Sequence, residues 1–212
     1  MKNYTLIGYQ RCGTTWLSLH FKTYYGKPNF LGEYFSQETN FDNKISFLEN
    51  ERKQNNEYFI KWIIWQIKEC EDWWNNFYKN FEKIKILNRN AWRIFLSESY
   101  LRYNNYKSDP NLWQHKDYNM KKFSVDIEWI KQFANQYNQY IMFSNYDTIF
   151  DVDKITDEYV SNYLGNSNIK YERFVHNYED YLQQDLDLTK EIFISELKKF
   201  GITCLQSGKI EL

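Results

Sequence analysis

Two glycines, an arginine and a pair of threonines are set where an apolar run gives way to a helical pattern, in Tyr4-Thr5-Leu6-Ile7-Gly8-Tyr9-Gln10-Arg11-Cys12-Gly13-Thr14-Thr15-Trp16. Leu6 and Ile7 suit a buried strand. Gly8 and Gly13 permit a tight turn and close approach of a ligand, and Thr14 and Thr15 open a helix whose amides and positive dipole end attract an anion. A nucleotide-binding P-loop has this glycine spacing, followed by lysine and then serine or threonine. Here Thr14 and Thr15 follow Gly13, so the lysine that reaches a β/γ-phosphate is missing and a cation stands inside the loop at Arg11. The ligand that suits such a loop carries one anionic group on its 5′ side rather than a triphosphate. Amides, hydroxyls and a guanidinium able to bond two oxygens at once would hold it.

A second segment repeats the layout. Ile84-Lys85-Ile86-Leu87 reads as a buried strand, and Asn88 to Ser97 as a turn and the start of a helix. Eight residues separate Arg89 from Ser97, a little over two helical turns, which returns the serine to the side facing the strand's carboxyl end.

Gln10-Arg11-Cys12-Gly13-Thr14-Thr15-Trp16-Leu17 resembles the 5′-phosphosulfate loop of sulfotransferases, and Arg89 with Ser97 is similar to the 3′-phosphate signature of the same family. The resemblance implies 3′-phosphoadenosine-5′-phosphosulfate (PAPS) as donor and 3′,5′-adenosine bisphosphate (PAP) as product, with no metal required. It assigns donor binding to Arg11, Cys12 (through its backbone amide), Gly13, Thr14, Thr15, Arg89 and Ser97. Trp16 aligns with a tryptophan that stacks on adenine. Tyr146, in Phe143-Ser144-Asn145-Tyr146-Asp147, resembles a tyrosine that follows the family's fourth strand. Lys61 lies in a segment similar to a lysine-bearing strand of bacterial members. The Arg-Lys-Gly segment near the end of cytosolic members has no counterpart here, which brings the chain closer to the bacterial and carbohydrate-type branch.

Sulfonate transfer needs cations at the donor and a base at the acceptor hydroxyl. Cytosolic members use a histidine between the two phosphate motifs. This chain has histidine only at 20, 115 and 176, none of them in that place. Leu31-Gly32-Glu33-Tyr34-Phe35, in contrast, resembles the segment in which trehalose-type and heparan-type sulfotransferases carry a glutamate base. That makes Glu33 the candidate base, with Arg11 the candidate catalytic cation and Glu38 the competitor for the proton.

The elements that must position these groups follow from hydrophobic periodicity. Strands are expected over 4–8, 58–65, 84–88 and 140–144, and helices over 13–25, 66–80, 90–105, 125–138 and 151–164. A loop is expected through Pro28 to Glu38, a charged segment over 40–57, and a helical stretch from Glu179 to Phe200 stopped by Gly201. Alternation of strand and helix implies an α/β fold, a three-layer sandwich around a mostly parallel sheet of about five strands, with ligands beyond the strands' carboxyl ends. The family resemblance makes this fold P-loop NTPase-like. The 212 residues are read as one domain, 1–212, with a helical C-terminal segment from about 171. That segment serves for packing or for pairing two copies in a homodimer.

Net charge −1 and a pI near 6.3 leave no polybasic footprint, so no nucleic-acid partner is expected. No secretory leader or membrane span is read. Cys12, Cys70 and Cys204 are too few and too scattered for a disulfide framework, so a cytoplasmic location is expected. The abundance of Asn, Lys, Ile and Tyr reads as codon bias. The partner is then a small-molecule or glycan acceptor, and its identity stays open because 36–57 and 103–124 resemble nothing in the family. Two other readings fit the loop: a P-loop nucleotide kinase, and a nucleotide-sensing module without catalysis.

The base assignment generates a sharp expectation. Glu33→Gln keeps shape and hydrogen bonding but cannot take a proton, so turnover should fall by about 10²-fold or more while PAP affinity in titration calorimetry stays near wild type. Normal turnover in this variant would remove Glu33 from the base position.

Overall fold

Tyr4–Gly8 (β1) and Phe59–Ile63 (β3) are buried at every position. That is the pattern of parallel strands covered on both faces, and it explains their continuous rather than alternating apolar character. The computed structural model describes residues 3–26, 29–32, 34, 35, 41–56, 58–104, 121–166, 169–171 and 177–211, the side chain of Thr14 excepted. The chain forms two compact units, Met1–Leu87 with Ser144–Glu172, and Asn88–Phe143 with Arg173–Leu212.

In the first unit β1 is followed by Thr14–Tyr25 (α1), Phe30–Gly32 (β2), Phe41–Lys53 (α2), β3, Ile64–Glu69 (α3), Glu71–Phe77 (α4) and Glu82–Leu87 (β4). Thr148–Asp151 (β5) and Asp157–Leu164, which becomes α7 in chain order, complete it. The five strands make one sheet in the order β2-β3-β1-β4-β5, and all four pairings are parallel. The expected α/β architecture with a five-stranded, mostly parallel central sheet is therefore observed. β1 lies in the middle, and the chain crosses over it between β3 and β4. In sheets of this kind, ligands bind outside the carboxyl end at such a reversal of strand order.

Register assigns side chains to faces. Leu6 pairs with Lys61 and Ile84, while Ile7 pairs with Trp62 and Lys85. Phe59, on the Lys61 face, stacks on Phe21 of α1 at 4.7 Å and on Phe30 at 5.1 Å. On the opposite face Trp62 stacks on Phe35 at 4.4 Å and meets Tyr78 edge-on.

The second unit contains Ala91–Tyr103 (α5), Ile127–Met142 (α6), a 3₁₀ turn at Glu179–Tyr181 and Leu186–Lys198 (α8). Each helix carries a sequence-readable cap. Asn90, Asp126 and Asp185 accept from Arg93, Glu128 and Leu188 amides respectively. Phe95 is the hub of the core, 5.2 Å from Phe133 on α6 and 4.9 Å from Phe193 on α8.

Three expectations are corrected. The strand expected over 140–144 is instead the last turn of α6 and the segment after it, because the buried stripe Trp129, Ile130, Phe133, Ala134, Tyr137 and Tyr140 keeps helical spacing through Tyr140. The fifth strand begins later, at Thr148. The charged segment over 40–57 holds helix α2, and the loop from Pro28 holds β2. Among the described residues no helix is long and apolar enough to cross a membrane.

Near the C-terminus the chain turns back on α5. Trp92 N–H donates to the Gly208 carbonyl at 3.2 Å, and Asn90 and Lys209 form an antiparallel bridge. Gly208 has φ +77, and a Cβ there would lie 2.3 Å from the Cβ of Trp92. Backbone strain and overpacking act together at such a position, so Gly208→Ala should lower unfolding free energy by about 2–4 kcal/mol, read from urea denaturation.

Candidate functional site

β1 ends at Gly8, and the chain leaves it through two residues in the left-handed region, Arg11 at φ 62 and Gly13 at φ 95. Gly13 is the N-cap of α1 and offers no side chain to its free amides, so the amides of Thr14 and Thr15 open the helix without a side-chain cap from that residue. A Cβ on Gly13 would lie 3.4 and 3.5 Å from the two methyls of Val152, just after β5. Those are ordinary contact distances, so it is the left-handed conformation that calls for glycine here. Arg11 is half-buried and Thr15 exposed. These residues form a strand-to-helix turn at the carboxyl end of the central strand, in the order the spacing predicts.

Cys12 departs from its expected part. Its side chain is fully buried and its amide turns back toward the Tyr9 carbonyl at 3.4 Å, so the backbone donor meant for phosphate serves the turn instead.

Trp16 departs further. With 6% of its surface exposed it offers no open face to a stacking base, and its indole N–H donates to Asp157 Oδ1 at 2.9 Å. His20 Nε2 lies 2.8 Å from the same oxygen, and the Tyr171 amide donates to it at 3.2 Å. One carboxylate oxygen on the first residue of α7 therefore gathers three groups, two of them from α1. Burial pushes the Asp157 carboxyl up, but the bonds from His20, Tyr171 and Trp16 outweigh it and hold the group below its ordinary value of 3.8. His20, which does not stand in the place of the cytosolic histidine base, belongs to this anchor. The signal for it was there in the four-residue spacing of Trp16 and His20, which puts both on one helix face.

Tyr146 precedes β5 and does not follow a strand's carboxyl end, because the strand lies at 148–151 rather than 140–144. It sits five residues before Asp151, about 16 Å along the strand from the end where the loop leaves β1. Its ring instead covers Lys85, whose Nζ is 5.1 Å from the centroid. Burial pushes the Lys85 ammonium down to about 8. Lys61 is also buried, on β3 between β2 and β1. Alternating Lys-Ile-Lys-Ile at 83–86 shows a charged residue entering a strand but gives no hint that it is covered.

In the second unit Arg89 is half-buried at the turn before α5, and its carbonyl accepts the Ala91 and Ile210 amides, both at 2.9 Å. Asn88 Oδ1 accepts from the Asn90 amide at 3.0 Å, so asparagine side chains on both sides of Arg89 fix the turn. Ser97 lies buried in the second turn of α5. The bridge to Asn90 brings the backbone of Lys209 beside this turn, a basic residue that sequence reasoning did not connect with Arg89. Glu33, Glu38, His115 and His176 lie outside the described residues.

No protein-family model and no curated protein matches the chain.

The anchor predicts a pH signature. A depressed carboxyl contributes stability that is fully present above its ordinary value of 3.8 and is lost as pH falls through the lower folded value. Asp157→Asn should lower the urea midpoint near neutral pH, and its difference from wild type should narrow as pH falls below 3.8. A pH-independent difference would contradict the anchoring role of the charged form.

Proposed function

We propose that the chain is a P-loop-like sulfotransferase that moves a sulfonate from PAPS to an acceptor hydroxyl, with carbohydrates the acceptor class to test first. The observation that carries this reading is the loop itself. It leaves the central strand of a parallel sheet through left-handed residues at Arg11 and Gly13 and ends on the N-terminus of α1, with an arginine and no lysine in it. A nucleotide kinase reading is less well supported, because a triphosphate calls for the missing lysine.

On this reading Arg11 and the amides of Gly13, Thr14 and Thr15 hold the 5′-phosphosulfate. Arg89 and Ser97 take the 3′-phosphate. The acceptor oxygen forms a bond to sulfur as the bond from sulfur to the 5′-phosphate oxygen breaks. The acceptor proton goes to Glu33, and PAP leaves with the negative charge that Arg11 stabilises. The chemistry is positioning plus charge stabilisation and draws on no metal.

Titration calorimetry tests the reading. PAP should bind with micromolar affinity and ATP more weakly. Arg11→Ala should weaken PAP roughly ten- to a hundredfold, the loss of one charge-assisted contact, and Arg89→Ala should erase the preference for PAP over AMP. A preference for ATP would replace the reading with a kinase.

A further inference from the structure

A groove of about 530 Å³ lies between α2 and α4 in the first unit, lined by Glu49, Arg52, Lys53, Trp73, Asn76, Phe77 and Lys79. Its volume falls in the range of small-molecule sites. Arg52 and Lys53 end α2, which feeds the amino end of β3, while Phe77 and Lys79 precede the amino end of β4. The groove therefore belongs to the opposite end of the sheet from the Gly8–Thr15 loop, and nothing in the proposed transfer reaction uses it.

Its chemistry is specific. Trp73 and Phe77 stack at 4.8 Å, each ring covering one face of the other. The Arg52 guanidinium lies 4.9 Å from the Phe77 centroid and donates to the Phe77 carbonyl at 2.6 Å, which fixes it against that ring. Three cations face one carboxylate, and that carboxylate, Glu49, already accepts the Trp73 indole N–H at 2.9 Å. Neither Lys53 nor Lys79 has an ion-pair partner among the described residues. Two exposed lysines without an acidic partner, beside Arg52 and an aromatic pair on a chain whose net charge is −1, suit an anionic ligand. Phe77 already covers part of Trp73, which suits a sugar ring that needs one aromatic face better than a base slotted between two. Asn76 and Glu49 supply the amide and carboxylate that bond hydroxyls.

We infer that the groove between α2 and α4 binds an anionic saccharide, whose ring lies against Trp73 and whose sulfate or carboxylate groups meet Lys53, Lys79 and Arg52. The site is independent of the sulfonate-transfer reading. It would hold a glycan chain whether or not the loop at the other end of the sheet binds PAPS.

The test uses the full chain and a heparin octasaccharide, with a neutral maltooligosaccharide of equal length and AMP as comparators, in titration calorimetry at fixed salt. The heparin fragment should bind and the neutral one should not. Lys53→Ala/Lys79→Ala should weaken heparin binding by about tenfold or more, whereas Lys121→Ala/Lys170→Ala, which removes the same charge from exposed positions elsewhere, should leave it unchanged. Trp73→Leu should weaken binding with all charges kept. PAP titration in parallel reports on the loop alone and should not move in the lysine variants. Equal loss in both lysine pairs would overturn the proposal in favour of diffuse charge attraction. AMP binding that is lost in Lys53→Ala/Lys79→Ala would overturn it in favour of a nucleotide site.

Discussion

The bend at Gly13 is the constraint on which the rest of the first unit turns. A left-handed residue at the mouth of the central strand, with the Val152 methyls against the place its side chain would occupy, aims the first amides of α1 outward from the sheet. Any residue with a side chain would strain the turn there. Arg11, a non-glycine residue at φ 62, carries the backbone strain that glycine avoids at Gly13. Such strain persists only where the surroundings over-determine it. Here the surroundings are β1 with partners on both sides and a helix tied down behind it.

That tie is electrostatic. Asp157 draws Trp16 and His20 of α1 to one oxygen, so the helix that begins at the loop is fixed to α7 within a turn of its start. A residue that family resemblance assigns to a ligand thus does structural service one step removed from it. The sheet carries further charge inside, with Lys61 and Lys85 on opposite faces. Desolvation lowers the charge-holding power of Lys85, and the Tyr146 ring offsets part of that cost.

Much of this was legible in the amino-acid sequence, and the exceptions have physical causes. β1 and β4 are announced by apolar runs that end at glycine or asparagine, β3 by an apolar run that continues into α3, and the helices of the second unit by aspartate and asparagine caps. Tyr140-Ile141-Met142-Phe143 misleads because a short apolar run does not reveal its period, and the aromatic stripe of α6 claims its first part. α2 is hard to read because only Leu48 of its thirteen residues is fully buried, leaving little apolar stripe. β2, at three residues, is too short for any alternation to show. The loop was readable as a strand-to-helix turn because its glycines follow an apolar run and precede a helical pattern. Spacing puts Trp16 and His20 on one helix face, but Asp157, which gathers them, lies 137 to 141 residues away and no local pattern points to it. Individual roles shifted for the same reason. Burial of Cys12 and Trp16 is decided by tertiary packing that a local motif does not contain.

The first unit is built from two stretches of chain, with Asn88–Phe143 lying between β4 and β5 in sequence. During synthesis the edge strand and the Asp157 anchor emerge only after those 56 residues have been made. Until then the nascent sheet ends at β4 and presents an unpaired edge. Closing a connection of that length costs about 1.5 kcal/mol more than closing one of ten residues. If the intervening segment has already condensed when β5 appears, its ends are held together and that penalty is reduced. Vectorial synthesis would then set the order of events, with the Gly8–Thr15 loop among the last parts of the first unit to become rigid.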